Sequence, residues 1–443
     1  MAESAKKALL NESSRPTARH YVILAMSWAG WLFDFYDLML LMCLAGPIMD
    51  DLGFSKKEFS LIAGTTLAAT ALGGILFGVM ADRFGRKKVL TWTMLTYSVG
   101  AFFCGMSHAL WAFVAFRVVT GLGVGGEWAT GQTLVGETFP ARMRARFAAV
   151  MQTGAPLGIL LASVVGFFLE PVFASRFGSA WGWRCCFFVS LLPALLVLVV
   201  RRFMPESDVW EAHGTKGKPE STRLVVELRK DAALRRFFLL GLVLALADMS
   251  AYWFTYSWLP GYFSEIAKQA GGASAARIGF SMSRPGLGMI ITQIGGFAGY
   301  LSYGLVADWR GRRVAYSLFS IVWAVGLLAI TWFWGVIDAL PLLTFVCMFL
   351  VGFGTGNFSG YGPIFSELFP TRVRSSAMGA AFNLSRGAQF LTPYLIAWIA
   401  TLPFAEGHGL GAGISLGAFF AVFTGLWVWT LPETRGTQIT REF

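Results

Sequence analysis

The chain has 443 residues, of which 56% are hydrophobic and only 14% are charged, and its formal net charge is +11. A soluble domain usually carries about 25% charged residues, and a disordered chain is poor in apolar residues. The composition therefore excludes both of these classes and indicates a protein with several membrane spans. The apolar runs are continuous rather than alternating, which favours transmembrane helices over a β-barrel.

About twelve apolar stretches are long enough to cross a bilayer, which takes roughly 20 residues of helix. They follow a polar N-terminal segment that does not resemble a cleavable signal peptide, because the first apolar run is too long. The stretches cover about residues 21–49, 59–81, 89–107, 110–138, 147–170, 183–204, 236–263, 279–307, 314–334, 340–367, 376–402 and 411–431. The sequence therefore predicts an all-α membrane protein with about twelve transmembrane helices in two six-helix bundles.

One long polar stretch divides these spans six and six. The predicted organisation is an N-terminal tail (1–20), a first bundle (21–204), a central loop (205–235), a second bundle (236–431) and a C-terminal tail (432–443). We refer to the two bundles as the first half and the second half.

Lysine and arginine are concentrated in the loops on one side of the predicted membrane, including the central loop. The positive-inside rule then places both termini and the central loop in the cytoplasm. We therefore expect a multi-pass protein of the plasma membrane, in a bacterium the inner membrane. The basic residues are scattered over short loops, so the sequence does not predict a nucleic-acid partner.

Two loop motifs occur once in each half. Residues 78–88, between spans 2 and 3, correspond to residues 304–313, between spans 8 and 9. Residues 137–144, after span 4, correspond to residues 367–374, after span 10. Matching orientations in the two halves predict two bundles related by an axis along the membrane normal.

These motifs resemble those of the major facilitator superfamily. The Gly-x-x-x-Asp-Arg-x-Gly-Arg-Lys loop at 78–87 resembles its signature, and Arg117–Gly126 resembles a second motif. The Pro-Glu elements at 205–207 and 432–436, and the Asp-Phe-Tyr-Asp element at 34–37, resemble the sugar-porter-related branch of sialate and lactate proton symporters. The resemblance implies the major facilitator fold and transport by alternating access.

In that family the loop aspartate bridges to neighbouring helix ends, so the resemblance implies that these loops act as gating latches. Asp82 is then expected to pair with an arginine of 142–146, and Asp308 with Arg372 or Arg374. Alternatively, the loops only anchor the topology. The expected gating residues are Asp82, Arg83, Arg86, Glu137 and Arg142 in the first half and Asp308, Arg312, Glu367 and Arg372 in the second.

Charged residues inside the predicted spans are costly and therefore point to function. Asp34 and Asp37 share one helix face in span 1, while Arg117 and Glu127 lie in span 4. The simplest arrangement sets Arg117 against an aspartate of span 1. We expect Asp34, Asp37 or Glu127 to carry the coupled proton; the alternative is a static ion pair that joins the two spans.

The second half has Asp248 in span 7, a further proton-coupling candidate, and Arg386 in span 11. An arginine facing a central cavity is suited to bind a carboxylate. The alternative is an internal ion pair between Arg386 and Asp248. The expected substrate contacts are Arg386 with Asn383 and Gln389 on the same helix face, Arg117, and the aromatic residues Tyr36 and Tyr252.

We therefore predict a secondary active transporter, expected to be monomeric, that couples protons to a small organic anion such as lactate or sialate. Uniport or proton-coupled transport of a sugar, or export of a neutral or cationic compound, stays open. The sequence lacks the nucleotide-binding P-loop and any Cys or His pattern typical of a metal site. No cofactor, metal or enzymatic activity is predicted, and the lipid bilayer and the transported ions are the expected partners.

Overall fold

The computed structural model describes residues 10, 15–139, 144–206, 220–269, 285–337, 340–369 and 374–434, and within these ranges every regular element is a helix. The first half contains α1 (Ala18–Cys43), α2 (Ala45–Leu52), α3 (Lys56–Phe84), α4 (Arg86–Gly105), α5 (Leu110–Thr138), α6 (Arg144–Gln152), α7 (Gly154–Val164), α8 (Glu170–Phe177), α9 (Ser179–Phe188) and α10 (Leu192–Phe203). A π-helical turn (Val165–Leu169) joins α7 to α8, and a 3-10 turn (Val189–Leu191) joins α9 to α10.

The central region contributes α11 (Glu220–Lys230). The second half contains α12 (Ala232–Tyr256), α13 (Leu259–Gln269), α14 (Pro285–Arg310), α15 (Arg312–Trp332), α16 (Trp334–Ile337), α17 (Pro341–Gly354), α18 (Tyr361–Leu368), α19 (Arg374–Gly387), α20 (Thr392–Ile399), α21 (Leu410–Ile414) and α22 (Leu416–Trp427).

The described residues include nine helical segments that are long and apolar enough to cross a membrane. The three other predicted spans also form helices: α4, the pair α9 and α10, and the pair α19 and α20. The chain is thus an all-helical, multi-pass membrane protein, as the apolar runs predicted.

The repeat seen in the sequence is also present in the backbone. Gly85 and Gly311 both have φ of +99°, a conformation that L side chains rarely adopt, and each begins the next helix. Beside each turn lies a carboxylate: Glu206 accepts a hydrogen bond from the backbone N–H of Arg86 at 2.9 Å, and Glu433 accepts one from Arg312 at 3.0 Å. A negative charge stabilises a helix N-terminus, so the Pro-Glu elements cap α4 and α15.

Within each half, two helices approach so closely that only glycine fits between them. A Cβ atom at Gly125 of α5 would lie 1.8 Å from the Thr70 carbonyl oxygen of α3. In the second half, a Cβ atom at Gly352 of α17 would lie 1.6 Å from the Thr292 carbonyl oxygen of α14. Small residues that permit close backbone approach are typical of packed membrane helices.

The two halves pack against each other along α3 and the α19–α20 segment. A Cβ atom at Gly64 would lie 2.0 Å from the carbonyl oxygen of Phe390, and one at Gly74 would meet the amide of Asn383 at 2.5 Å. On the side of the molecule opposite the Gly85 and Gly311 turns, Lys56 Nζ and Glu265 Oε1 form an ion pair of 2.5 Å that also joins the halves.

The glycine contact between α3 and α5 can be tested by adding one methyl group. Gly125→Ala should lower the stability of the detergent-solubilised protein by about 1–3 kcal/mol, because an overpacked contact forces the backbones apart. Gly46→Ala in α2 is the matched control, since a Cβ atom there meets nothing within 4 Å. Equal thermal unfolding midpoints for the two variants would contradict the close approach.

Candidate functional site

An internal cavity lies between the two halves. Its lining combines α1 and α7 with helices of the second half, and most of the side chains that form it are aromatic. The lining residues are Trp31, Phe35, Gln152, Ala155, Met249, Tyr252, Trp253, Tyr300, Phe358, Phe382 and Arg386. A concave, largely apolar site with a few polar groups is the usual form of a small-molecule binding site.

Arg117 and Asp37 form a buried ion pair in the first half. Arg117 Nη1 donates to Asp37 Oδ2 at 2.9 Å, and the two side chains are 0% and 1% exposed. The predicted pairing of Arg117 with an aspartate of span 1 is thus present. This contact joins α1 to α5. Arg117 is not among the residues that line the cavity, so substrate contact by Arg117 stays a prediction.

Asp34 and Glu127 form a second buried acidic group beside this pair, and they interact electrostatically with each other. Neither carboxylate oxygen of Asp34 has a hydrogen-bond partner within the described structure, whereas Glu127 Oε2 accepts one from Thr93 at 2.9 Å. Glycine at position 30 makes room for Glu127, because a Cβ atom there would lie 1.9 Å from Glu127 Oε1.

Arg386 faces these carboxylates from the second half. It is 2% exposed, it interacts electrostatically with Asp34, and its Cζ lies 6.0 Å from the ring centroid of Phe35. In the described part of the chain neither Nη1 nor Nη2 of Arg386 has a hydrogen-bond partner. A buried guanidinium at the wall of a cavity, with both terminal nitrogens unpaired, can bind a carboxylate through two parallel hydrogen bonds.

The two residues expected to share the face of Arg386 have other contacts. Gln389 Nε2 donates to Ser250 Oγ at 3.1 Å and ties the second-half helices together. Asn383 lies against Gly74 of the first half. Neither is among the residues that line the cavity, so direct substrate contact by these two amides stays a prediction.

Asp248 is not the partner of Arg386 among the described side chains. Its Oδ1 accepts a hydrogen bond of 2.7 Å from Asn357 Nδ2, and the hydroxyl groups of Tyr316 and Tyr361 lie near the same carboxylate. Sequence reasoning did not identify the two tyrosines, because an uncharged polar side chain in a span gives no signal of its own. The alternative of an Arg386–Asp248 ion pair is therefore not the arrangement in this structure.

The two predicted tyrosines have different positions. Tyr36 donates from its hydroxyl to the carbonyl oxygen of Cys186 at 3.1 Å, which fixes α1 to α9 outside the cavity. Tyr252 lines the cavity, and its hydroxyl has no hydrogen-bond partner among the described residues.

The second-half latch is a chain of charged contacts near Gly311. Arg312 donates to Asp308 Oδ1 at 2.7 Å and to Glu367 Oε1 at 3.2 Å, and Thr434 donates to Glu367 Oε2 at 2.5 Å. Asp308 thus pairs with the arginine of its own motif.

Most of the other residues predicted for the latches lie outside the part of the chain that the structure describes. Arg86 donates from Nη1 to the carbonyl oxygen of Ala81 at 2.9 Å. Arg142 and Arg372 lie outside the residues that the structure describes. The side chains of Asp82, Arg83 and Glu137 also lie outside the described part.

One contact that closes the cavity was not predicted. Trp128 of α5 and Phe382 of α19 stack across the two halves with ring centroids 3.7 Å apart and an interplanar angle of 11°. Because Trp128 follows Glu127 directly in α5, the acidic group lies close to this contact between the halves.

Removing the charge of Arg117 and removing the charge of Arg386 should have different effects on the stability of the protein. Arg117→Gln leaves Asp37 unpaired and should cost about 3–5 kcal/mol of stability. Arg386→Gln removes a cation that has no direct partner, so it should leave the thermal unfolding midpoint unchanged or raise it. The thermal unfolding midpoints of the two variants are measured in the same detergent. A larger decrease for Arg386→Gln than for Arg117→Gln would contradict the conclusion that Arg117 is paired and Arg386 is not.

The Gly30–Glu127 contact can be tested with a double-mutant cycle, which isolates the coupling between two positions. Gly30→Ala should cost about 1–3 kcal/mol of stability, because the new methyl group overlaps the carboxylate. In a Glu127→Ala background the same change should cost much less. An equal cost in both backgrounds would show that the methyl group meets something other than Glu127.

Known proteins of similar sequence are transporters. The chain is 28% identical to the sialic acid transporter NanX of Escherichia coli, with 88% of each chain covered. It is 27% identical to the cis,cis-muconate transport protein of Acinetobacter baylyi, with 88% of this chain and 89% of that protein covered.

The fold is that of a solved transporter. The proton:xylose symporter XylE, in a structure bound to 6-bromo-6-deoxy-D-glucose, superposes with a TM-score of 0.74 at 18% identity, over 95% of this chain and 98% of that chain. The family model described as Sugar (and other) transporter matches residues 339–441, and the model described as Major Facilitator Superfamily matches residues 27–302. The chain therefore belongs to the major facilitator superfamily and is a membrane transporter rather than an enzyme.

Proposed function

We propose that this transporter couples the uptake of a small organic anion to the movement of protons. The observation that carries the proposal is the unpaired guanidinium of Arg386, which is buried at the wall of the cavity beside the carboxylate of Asp34. In this proposal the two halves (21–204 and 236–431) move as bundles about the cavity. The protein lies in the bacterial inner membrane, with both termini in the cytoplasm.

The anion site follows from the cost of burying a cation. A buried charge without a hydrogen-bonded partner is expensive, and removing the partner of a buried ion pair costs about 3–5 kcal/mol. A substrate carboxylate on Arg386 Nη1 and Nη2 would offset that cost. The fork geometry of arginine suits this two-point contact better than the single ammonium of lysine.

The proton site follows from the balance of charge. Beside Arg117 and Arg386 lie three buried carboxylates, Asp34, Asp37 and Glu127, so this cluster carries one more potential negative charge than positive charge. The buried Asp248 is not counted here, because it lies in a separate polar group with Asn357. An anionic substrate would raise the excess to two in a medium of low dielectric constant, where like charges repel strongly. A proton on Asp34 or Glu127 removes part of this excess, so substrate and proton bind together.

Asp37 and Asp248 have supporting parts in this proposal. The charge of Asp37 is balanced by Arg117, and this ion pair joins α1 to α5. In this arrangement Asp34 of α1 faces Arg386. Asp248 lies in a polar group of the second half with Asn357 and is a second place for a proton. The Asp308–Arg312–Glu367 latch would hold the ends of the second-half helices together while the halves alternate.

The relatives support an acid as the substrate. Two of them are named as transporters of organic acids, namely sialic acid and cis,cis-muconate. The likeness to the xylose symporter concerns the fold alone, because the two chains are only 18% identical.

Uptake into proteoliposomes under an imposed inward proton gradient tests the proposal. The labelled probes are lactate, sialate, the aromatic acid benzoate and a hexose, with protein-free liposomes as the baseline. We expect an acid, and not the hexose, to accumulate, and we expect a protonophore to abolish the accumulation.

Two variants separate the anion site from the proton site. Arg386→Gln should weaken acid uptake about 10- to 100-fold, because it removes charge-assisted hydrogen bonds to the carboxylate. Asp34→Asn should keep exchange of the acid but lose accumulation driven by the gradient. Arg235→Gln, an exposed arginine outside the cavity, is the control. Hexose uptake that ignores the proton gradient, or full activity of Arg386→Gln, would overturn the proposal.

A further inference from the structure

The cavity wall is dominated by aromatic rings. Seven of its eleven lining residues are aromatic, and they come from both halves of the molecule. Phe35 of the first half meets Tyr252 of the second edge to face at 6.1 Å, and Tyr252 in turn lies 4.9 Å from Phe358. The space beside Phe35 is therefore bounded by ring faces and edges.

The polar groups at the cavity are mostly hydrogen-bond donors. In the described structure the buried polar groups without a partner at this wall are Arg386 Nη1 and Nη2 and Trp31 Nε1, which only donate, and the Tyr252 hydroxyl, which can donate or accept. The amide oxygen of Gln152 is already occupied, since it accepts from Trp128 Nε1 at 3.3 Å and from Gln132 Nε2 at 3.1 Å. The wall offers few acceptors for the hydroxyl protons of a sugar or of a polyhydroxylated acid, and unpaired polar groups of a ligand would be costly here.

The position of the arginine fixes the orientation of a ligand. The guanidinium of Arg386 lies 6.0 Å from the ring centroid of Phe35. A carboxylate bound to Arg386 therefore places the adjoining part of the ligand against the rings of Phe35, Tyr252 and Phe358. Flat conjugated groups pack well in such a place, because aromatic rings favour offset-stacked and edge-to-face contacts.

We infer that the substrate is a planar carboxylate, in which the acid group is joined to an aromatic or otherwise conjugated body. The inference rests on the proposed function, because it keeps Arg386 as the carboxylate contact, and it adds the shape and unsaturation of the rest of the molecule. Compact hydroxy acids and polyhydroxylated acids are then poor ligands of this cavity.

Isothermal titration calorimetry on the full-length protein in lipid nanodiscs tests this with three matched probes. Benzoate is planar and anionic, cyclohexanecarboxylate has the same ring size and charge but is not planar, and benzamide is planar but neutral. We expect benzoate to bind about tenfold or more tightly than either of the others, since aromatic contacts and the charge each favour it. Lactate and sialate are titrated in parallel and should bind more weakly than benzoate.

The possible results separate the two proposals. Equal binding of benzoate and cyclohexanecarboxylate, or tighter binding of lactate or sialate than of benzoate, overturns the planar substrate and leaves acid transport standing. Equal binding of benzamide and benzoate overturns the role of Arg386 and with it the proposed function. Binding of none of the acids overturns both.

Two variants locate the effect in the cavity. Phe358→Leu removes one aromatic face and should reduce the preference for benzoate over cyclohexanecarboxylate several-fold, while both acids still bind through Arg386. Phe419→Leu, at a side chain that is 64% exposed and outside the cavity, should leave the preference unchanged. An unchanged preference in Phe358→Leu would overturn the inferred contact.

Discussion

The central constraint on the interior is a buried guanidinium, that of Arg386, whose two terminal nitrogens have no hydrogen-bond partner among the described residues. Arg117 in the other half has its aspartate at 2.9 Å, whereas Arg386 has only the longer-range field of Asp34. A buried cation in this state is a local cost that the rest of the fold must offset. The close helix contacts at Gly64, Gly74, Gly125 and Gly352 are part of the packing between helices that offsets such costs.

Strong polar contacts lie mainly inside each half, while the centre of the boundary between the halves is aromatic. The capping carboxylates, the Asp37–Arg117 pair and the Arg312 latch each join helices of a single half. Across the boundary, Trp128 stacks on Phe382 and Phe35 meets Tyr252. Apolar and aromatic contacts are less directional than charged hydrogen bonds, so the halves can shift at this boundary while each keeps its internal geometry.

The sequence predicted the helices, the two-fold repeat and the pairing of Arg117 with an aspartate of span 1, because continuous apolar runs and buried charges have few alternatives. It did not distinguish Asp37 from Asp34 as the partner. It did not identify Tyr316 and Tyr361 beside Asp248, since neutral polar residues occur on every face of apolar helices. The capping by Glu206 and Glu433 depends on where the chain returns after several spans, which local pattern does not specify. Of the aromatic residues that line the cavity, the sequence predicted only Tyr252 as a substrate contact, because helices that are apolar all round do not show which face turns inward.

The ion pair between Lys56 and Glu265 has a consequence of a different kind. It joins the halves on the side away from the repeated turns, and its two side chains are 53% and 32% exposed. A pair this exposed contributes about 0–1 kcal/mol, and its contribution falls as the salt concentration rises. The free-energy difference between forms that are closed and open on that side therefore depends partly on the salt concentration. The equilibrium between these forms is then set by the surrounding solution as well as by the amino-acid sequence.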